Sequence, residues 1–286
     1  MSGPGLGPGQ DPARDRVLAT TAGLLRELDA GREPAILDAR AMVAEACEDG
    51  HLPGAICADL GVELVGPASV HLGGRIPGGE QFGQHARRWG LLHGQPIVVY
   101  DDGTGKQAAR LWWLLRYAGL RDVRILDGGL PAWRAYGGPV ADEPVTPVPS
   151  EISLGWGRLP TVQADEIAWW PERGTLLDAR TPERFRGEAG QGPRAGHIPG
   201  AISAPAAECL LPDGRLRPRE ELVARFESYR VARASYSAVY SGCGLSACLL
   251  VAAISSTGRA AVLYPGSWRE WSASDRPVEV GDPVEV

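Results

Sequence analysis

Leu37-Asp38-Ala39-Arg40, followed by Gly50-His51-Leu52-Pro53-Gly54-Ala55, returns later in the chain as Leu177-Asp178-Ala179-Arg180 followed by Gly196-His197-Ile198-Pro199-Gly200-Ala201. Asp38 and Asp178 stand 140 positions apart, as do Tyr100 and Tyr240, and Gly129 and Gly266 stand 137 apart, so the halves align over most of their length. A period this long means two similar domains and excludes a solenoid of short repeats. The duplication is also a control. Features carried by both halves are demanded by the fold, whereas features of one half alone are candidates for chemistry.

Outward from these segments, short apolar runs at 35–37, 97–100 and 123–126 predict strands, and 107–118 predicts a helix after a Gly-containing turn. The same order recurs with strands at 175–177, 238–240 and 261–264 and helices over 220–229 and 246–256. Strand, turn, helix, strand implies a parallel sheet with right-handed crossovers, so the fold class is α/β, twice. Residues 1–16, rich in Gly, Pro and charge, read as a disordered tail; 17–137 form the first domain, 138–159 a linker punctuated by Pro139, Pro144, Pro147 and Pro149, and 160–286 the second. A helix is expected over 17–28 with Thr20 or Thr21 as its cap, and another from a cap at Asp165 through Trp170.

With 286 residues, each half can bury its own core, and 44% hydrophobic with 22% charged residues is the balance of a globular protein. A formal charge of −6 argues against nucleic acid or anionic membrane as the main partner. The longest apolar runs, such as 247–254, fall short of a membrane span, and Met1-Ser2-Gly3-Pro4-Gly5 opens no secretory signal, so a cytoplasmic protein is expected. Cys47, Cys57, Cys209, Cys243 and Cys248 form no CxxC pair and leave one over in any pairing scheme, which predicts free thiols. His71, His85 and His93 lack metal-ligand spacing, so neither metal nor cofactor is expected, while His51 and His197, present in both halves, read as fold residues.

Chemistry is expected where a strand ends, a Gly-rich loop turns and a helix begins, because backbone N–H groups and the helix dipole favour an anion there. In the second half that loop is Tyr240-Ser241-Gly242-Cys243-Gly244-Leu245-Ser246-Ala247. A thiol among such amides has its thiolate stabilised, as sulfur nucleophiles need. The counterpart Tyr100-Asp101-Asp102-Gly103-Thr104-Gly105-Lys106 has two carboxylates and no thiol. A phosphatase of the strand-loop-helix kind needs an Arg six positions after its cysteine; that position is Leu249 from Cys243 and Ala247 from Ser241, which argues against it.

The paired Asp-Ala-Arg and Gly-His-(Leu/Ile)-Pro-Gly-Ala motifs, with a Cys-bearing loop in the C-terminal half only, resemble the tandem-domain rhodaneses over nearly the whole chain. The resemblance implies two rhodanese-like domains, each a parallel sheet flanked by helices, the first silent and the second carrying the active-site loop 241–246. It implies a cysteine that takes sulfur from 3-mercaptopyruvate or thiosulfate as a persulfide, which a thiol or cyanide acceptor then removes. In mercaptopyruvate-type members the loop reads Cys-Gly-Ser-Gly-Val-Thr; here Ser241-Gly242-Cys243-Gly244-Leu245-Ser246 exchanges thiol and hydroxyl. Two Cα steps move a reactive atom by up to about 7 Å, which leaves three readings. Cys243 is the nucleophile with Ser241 as hydrogen-bond partner; or the site is an inactive anion-binding or regulatory cradle; or Cys243 is a small, partly buried residue. By the same resemblance Arg186 and Arg194, absent from the first half, bind the donor's carboxylate and carbonyl, and Gly242, Gly244, Leu245 and Ser246 line the donor. The uncharged loop favours 3-mercaptopyruvate over the thiosulfate dianion. Some members add an Asp and a His from the first domain; Asp59 lies in that region, and the His position reads Gly74 or Arg75.

Overall fold

Ala35-Ile36-Leu37-Asp38 and Thr175-Leu176-Leu177-Asp178 are buried at every position, as central strands of a two-sided parallel sheet must be. The computed structural model describes residues 11–40, 50–58, 76–190, 193–231 and 236–282. In the first domain, β1 (Leu18–Ala19), β2 (Ala35–Asp38), β3 (Ile56–Cys57), β4 (Ile97–Tyr100) and β5 (Val123–Leu126) form an all-parallel sheet in the order β1-β5-β4-β2-β3. Its helices are α1 (Pro12–Asp15), α2 (Thr21–Asp29), α3 (Gly79–Arg88), α4 (Lys106–Tyr117) and α5 (Gly129–Ala135). In the second, β6 (Thr175–Asp178), β7 (Ile202–Ser203), β8 (Ser237–Tyr240) and β9 (Val262–Leu263) are parallel in the order β7-β6-β8-β9. Helices α6 (Ala164–Ile167), α7 (Pro182–Arg186), α8 (Arg219–Ser228), α9 (Leu245–Ser256) and α10 (Ser267–Ser272) accompany it. Strand for strand, β5-β4-β2-β3 repeats as β9-β8-β6-β7.

The repeated motifs hold each sheet to the loop that follows it. Register places Asp38 beside Tyr100 and Asp178 beside Tyr240. Each aspartate binds the arginine two residues on at 2.6 Å, and that guanidinium donates onward to the Gly50 or Gly196 carbonyl. His51 and His197 are buried, with ring nitrogens on main-chain carbonyls. These are structural roles common to both copies.

Helix α9 is apolar all round because it is covered on all sides, by its own sheet and by α4 of the first domain. One hydrophobic core therefore runs through both domains, from Leu37 and Trp113 to Leu177 and Leu250. Truncating a fully buried residue such as Leu250 to Ala costs about 2–5 kcal/mol.

Four expected boundaries change. The disordered reading of 1–16 does not hold for 11–16: Asp11 accepts the Ala13 and Arg14 N–H groups to cap α1, and Arg14 reaches Asp127 and the Leu216 and Arg217 carbonyls. The helix expected over 17–28 is a strand and then a helix, since Leu18 and Ala19 pair with Ile125 and Leu126 before Thr20 caps α2. The linker 138–159 is a strap bound to the first domain: Ser150 donates to the Arg87 and Leu91 carbonyls, and Ile152 is buried. Helix α6 stops at Ile167, with Gln163 rather than Asp165 at its cap, and a short 3-10 turn follows at Trp170–Glu172.

Candidate active site

Tyr240 ends β8 and Leu245 begins α9, so the chain turns into the helix within four residues. Gly244 makes that turn with φ +90°, in the left-handed region, and Gly105 does the same at +69° in the first domain. Ser241 is buried, and its Oγ accepts the Gly244 N–H at 2.9 Å. Its N–H donates to Ser267 Oγ at 3.3 Å, its carbonyl accepts the Trp268 N–H at 2.8 Å, and the Gly242 carbonyl accepts the Arg269 N–H at 3.2 Å. The loop is thus pinned to the first turn of α10.

Cys243 sits half-buried between Gly242 and Gly244 as a free thiol. Beyond it the first-turn amides of Leu245, Ser246 and Ala247 have no acceptor among the described residues. Open N–H groups backed by the dipole of a 12-residue helix favour an anion at this end of α9.

The equivalent cradle of the first domain is filled by its own chain. Asp101, 1% exposed, accepts the N–H groups of Gly103, Gly105, Gln107 and Ala108 at 3.0, 3.1, 3.2 and 3.3 Å. Burial pushes the Asp101 carboxyl upward while these amides pull it down. Ser241, at the same place in the second domain, takes one N–H and leaves the others open.

The structure brings Ser241, Gly242, Cys243, Gly244, Leu245 and Ser246 together in one loop, while the two arginines are bonded to other groups. Arg186, at the end of α7, pairs with Glu188 through Nε and Nη2, each at 2.8 Å. Arg194 donates to the Trp271, Ser272 and Arg276 carbonyls at 3.0, 3.1 and 2.6 Å, at the end of α10 away from the loop. Neither arginine has a hydrogen bond or ion pair to 241–246. Cys209 and Cys248 are buried; burial pushes the Cys209 thiol up to about 12 and raises that of Cys248, with Arg110 Nη1 at 3.9 Å from its sulfur. Cys47, Asp59, Gly74 and Arg75 lie outside the described residues. Among the described residues no group of His, Cys, Asp or Glu side chains is gathered as a metal site, and no helix is long and apolar enough to cross a membrane.

Two contributors escaped the sequence reading. Ser267 holds φ +54°, and its Oγ accepts from Ser241 and donates to the Tyr264 carbonyl. The helix starts align Gly128 with Gly266, so Ser267 stands where the first half has Gly129 at φ +60°, one position from the alignment read in the sequence. A serine at a copied glycine position was the available signal. Arg180, stacked 4.5 Å from the Trp268 ring, places its Cδ 4.0 Å from where a Gly242 Cβ would stand, and so underpins the loop.

The model of the rhodanese-like domain matches residues 20–136 and again 163–274. The chain is 40% identical over 282 residues to a Mycobacterium tuberculosis (strain H37Rv) protein named "Putative thiosulfate sulfurtransferase SseB", covering 94% of this chain and 99% of that protein. It is 32% identical to the 3-mercaptopyruvate sulfurtransferase of Escherichia coli K12, over 83% of this chain and 86% of the relative. The crystal structure of SseA from Escherichia coli, a 3-mercaptopyruvate sulfurtransferase, superposes with a TM-score of 0.78 at 29% identity, covering 88% of this chain and 98% of that one. Two matched copies, two parallel sheets in repeated order and a Cys-bearing loop in the second copy agree: this chain belongs to the rhodanese-like family, as a tandem-domain member related to the sulfurtransferases.

Proposed function

We propose that the protein is a sulfurtransferase carrying sulfur on Cys243. The observation behind this reading is the half-buried Cys243 thiol, between two glycines, ahead of open amides at the start of α9. In the first step the Cys243 thiolate attacks the sulfur of 3-mercaptopyruvate; an S–S bond forms, the C–S bond breaks, and its electron pair leaves on carbon as the enolate of pyruvate, which takes up a proton. With thiosulfate the leaving group is sulfite. An acceptor thiolate then attacks the terminal sulfur and departs as a hydropersulfide, while cyanide departs as thiocyanate, and each returns the Cys243 thiolate.

The amides of Leu245, Ser246 and Ala247 hold the persulfide anion, while Ser241 keeps the loop in shape through Gly244. Gly242 and Gly244 leave room for the donor, and the Ser246 hydroxyl supplies a further hydrogen bond. Arg186 takes the donor carboxylate by exchanging its pair with Glu188, whose side chain is 56% exposed; exposed pairs of this kind are worth only about 0–1 kcal/mol. Arg194, bonded to three carbonyls, positions the end of α10 and does not grip the donor directly. The absence of charged side chains in the loop favours 3-mercaptopyruvate, and the thiols of Cys209, Cys243 and Cys248, none of them in a disulfide, suit the reducing cytoplasm.

One observation favours a second reading, an inactive anion-binding module: the Ser241 hydroxyl already sits at the floor of the cradle. Pyruvate release from 3-mercaptopyruvate with a thiol acceptor separates the two. Turnover that persists in Ser241→Ala and vanishes in Cys243→Ser supports the enzyme; turnover unchanged in Cys243→Ser overturns the assigned nucleophile. A wild-type protein that binds sulfite yet releases no pyruvate leaves the module reading in place.

A further inference from the structure

A cavity of about 560 Å³ opens between the two domains, at the carboxyl ends of the paired strands β1 and β5. Ligands of open parallel sheets gather outside such strand ends, and the volume falls in the range of small-molecule sites. Its floor is the start of α2. Thr20 caps this nine-residue helix, its Oγ1 accepting the Gly23 N–H at 3.0 Å and its carbonyl the Leu24 N–H at 2.9 Å, which leaves the Thr21 and Ala22 amides without acceptors among the described residues. Thr21 itself is only 8% exposed and lines the cavity, and its hydroxyl has no partner among the described residues. One hydroxyl and two amides at the positive end of a helix form a receptor for a carboxylate.

The acidic groups nearby are already balanced. Asp127 accepts the Leu216 N–H at 2.7 Å and pairs with Arg14, while Asp213 pairs with Arg215 at the rim. The remaining wall is apolar, formed by Pro131, Ala132 and the ring of Tyr136, which is 60% exposed. In the second domain the corresponding helix α6 has four residues and begins Ala164-Asp165, with no threonine, so the receptor belongs to the first domain alone.

We propose that this cavity binds a small organic monocarboxylate with an apolar, ring-sized tail. The carboxylate accepts from the Thr21 hydroxyl and the Thr21 and Ala22 amides, and the tail lies on Pro131, Ala132 and Tyr136. This second site stands apart from the sulfur-carrying loop and does not depend on its chemistry.

The test is calorimetric titration of the full chain with 3-phenylpropanoate and with its neutral analogue 3-phenylpropan-1-ol. Saturable binding of the acid at least tenfold tighter than the alcohol is expected. Thr21→Val, which keeps the shape and removes the hydroxyl, weakens the acid about tenfold, the equivalent of one charge-assisted hydrogen bond. Ala135→Trp, at an exposed position lining the cavity, fills it and abolishes binding. Both variants retain wild-type pyruvate release. No binding of the acid, equal binding of the alcohol, or binding undiminished in both variants overturns the proposal.

Discussion

Ser241→Asp should fill the second cradle as Asp101 fills the first. The Asp101 carboxyl takes four loop and helix amides at 3.0 to 3.3 Å, whereas Ser241 Oγ takes only that of Gly244. An aspartate at 241 would accept the Gly244 N–H and compete for the open amides of Leu245, Ser246 and Ala247. Losing one donor to a developing anion lowers a rate by about 10²–10³-fold, so pyruvate release should fall at least about 100-fold even if a single amide is captured. The fold should persist, because a carboxylate at a helix N-terminus contributes about 0.3–1 kcal/mol and offsets part of its own burial. Initial rates of pyruvate release, beside urea denaturation of the same sample, measure both quantities. Ser241→Asn, similar in size and uncharged, is the control and should lose less activity. A folded Ser241→Asp variant working within about threefold of wild type would refute the assignment of these amides as the anion holder.

Asp38→Asn and Asp178→Asn each strip a buried arginine of its counter-charge and should each cost about 3–5 kcal/mol in urea denaturation; a loss of turnover in Asp178→Asn with stability intact would instead make that pair catalytic. Ser267→Ala removes the acceptor of the Ser241 N–H and the donor to Tyr264, a loss of about 1–3 kcal/mol. Ser267→Gly should be milder by about 1 kcal/mol, since glycine holds φ +54° without strain, and equal melting curves for the two variants would contradict this. Arg124 binds Glu27 through two hydrogen bonds and holds its carboxyl below the ordinary 4.5. Because the folded value is the lower one, the pair stabilises fully above about pH 4.5 and is lost as pH falls through the folded value. Glu27→Gln should therefore be less stable than wild type at neutral pH and converge with it once acid protonates the folded carboxyl; parallel curves across that range would count against the pair.

The duplication was legible because its residues answer to local geometry. Asp38 and Arg40 serve a strand and the loop after it, within one stretch of chain, and Asp178 and Arg180 repeat the arrangement. The central strands were legible for the same reason, as continuous apolar runs between turn residues. What was not legible depends on distant partners. Leu18 and Ala19 look helical because a two-residue edge strand has no period of its own, and only Ile125 and Leu126 make it a strand. The Arg14 side chain is held by residues about 200 positions on. Arg194 reads as a free guanidinium until Trp271 and Ser272 are beside it. In the loop, the sequence showed the exchange of thiol and hydroxyl but not its consequence, which rests on the Ser241 hydroxyl pointing back to Gly244 and on Ser267 holding the loop from another helix.

Everything proposed for this site turns on Cys243 as the carrier of the transferred sulfur. The most direct measurement is intact-protein and peptide mass spectrometry after brief exposure to 3-mercaptopyruvate without reductant, followed by a thiol acceptor. One added sulfur is expected on the peptide containing Cys243, removed by the acceptor and still formed in Ser241→Ala. Sulfur on another cysteine, or on none, would contradict it.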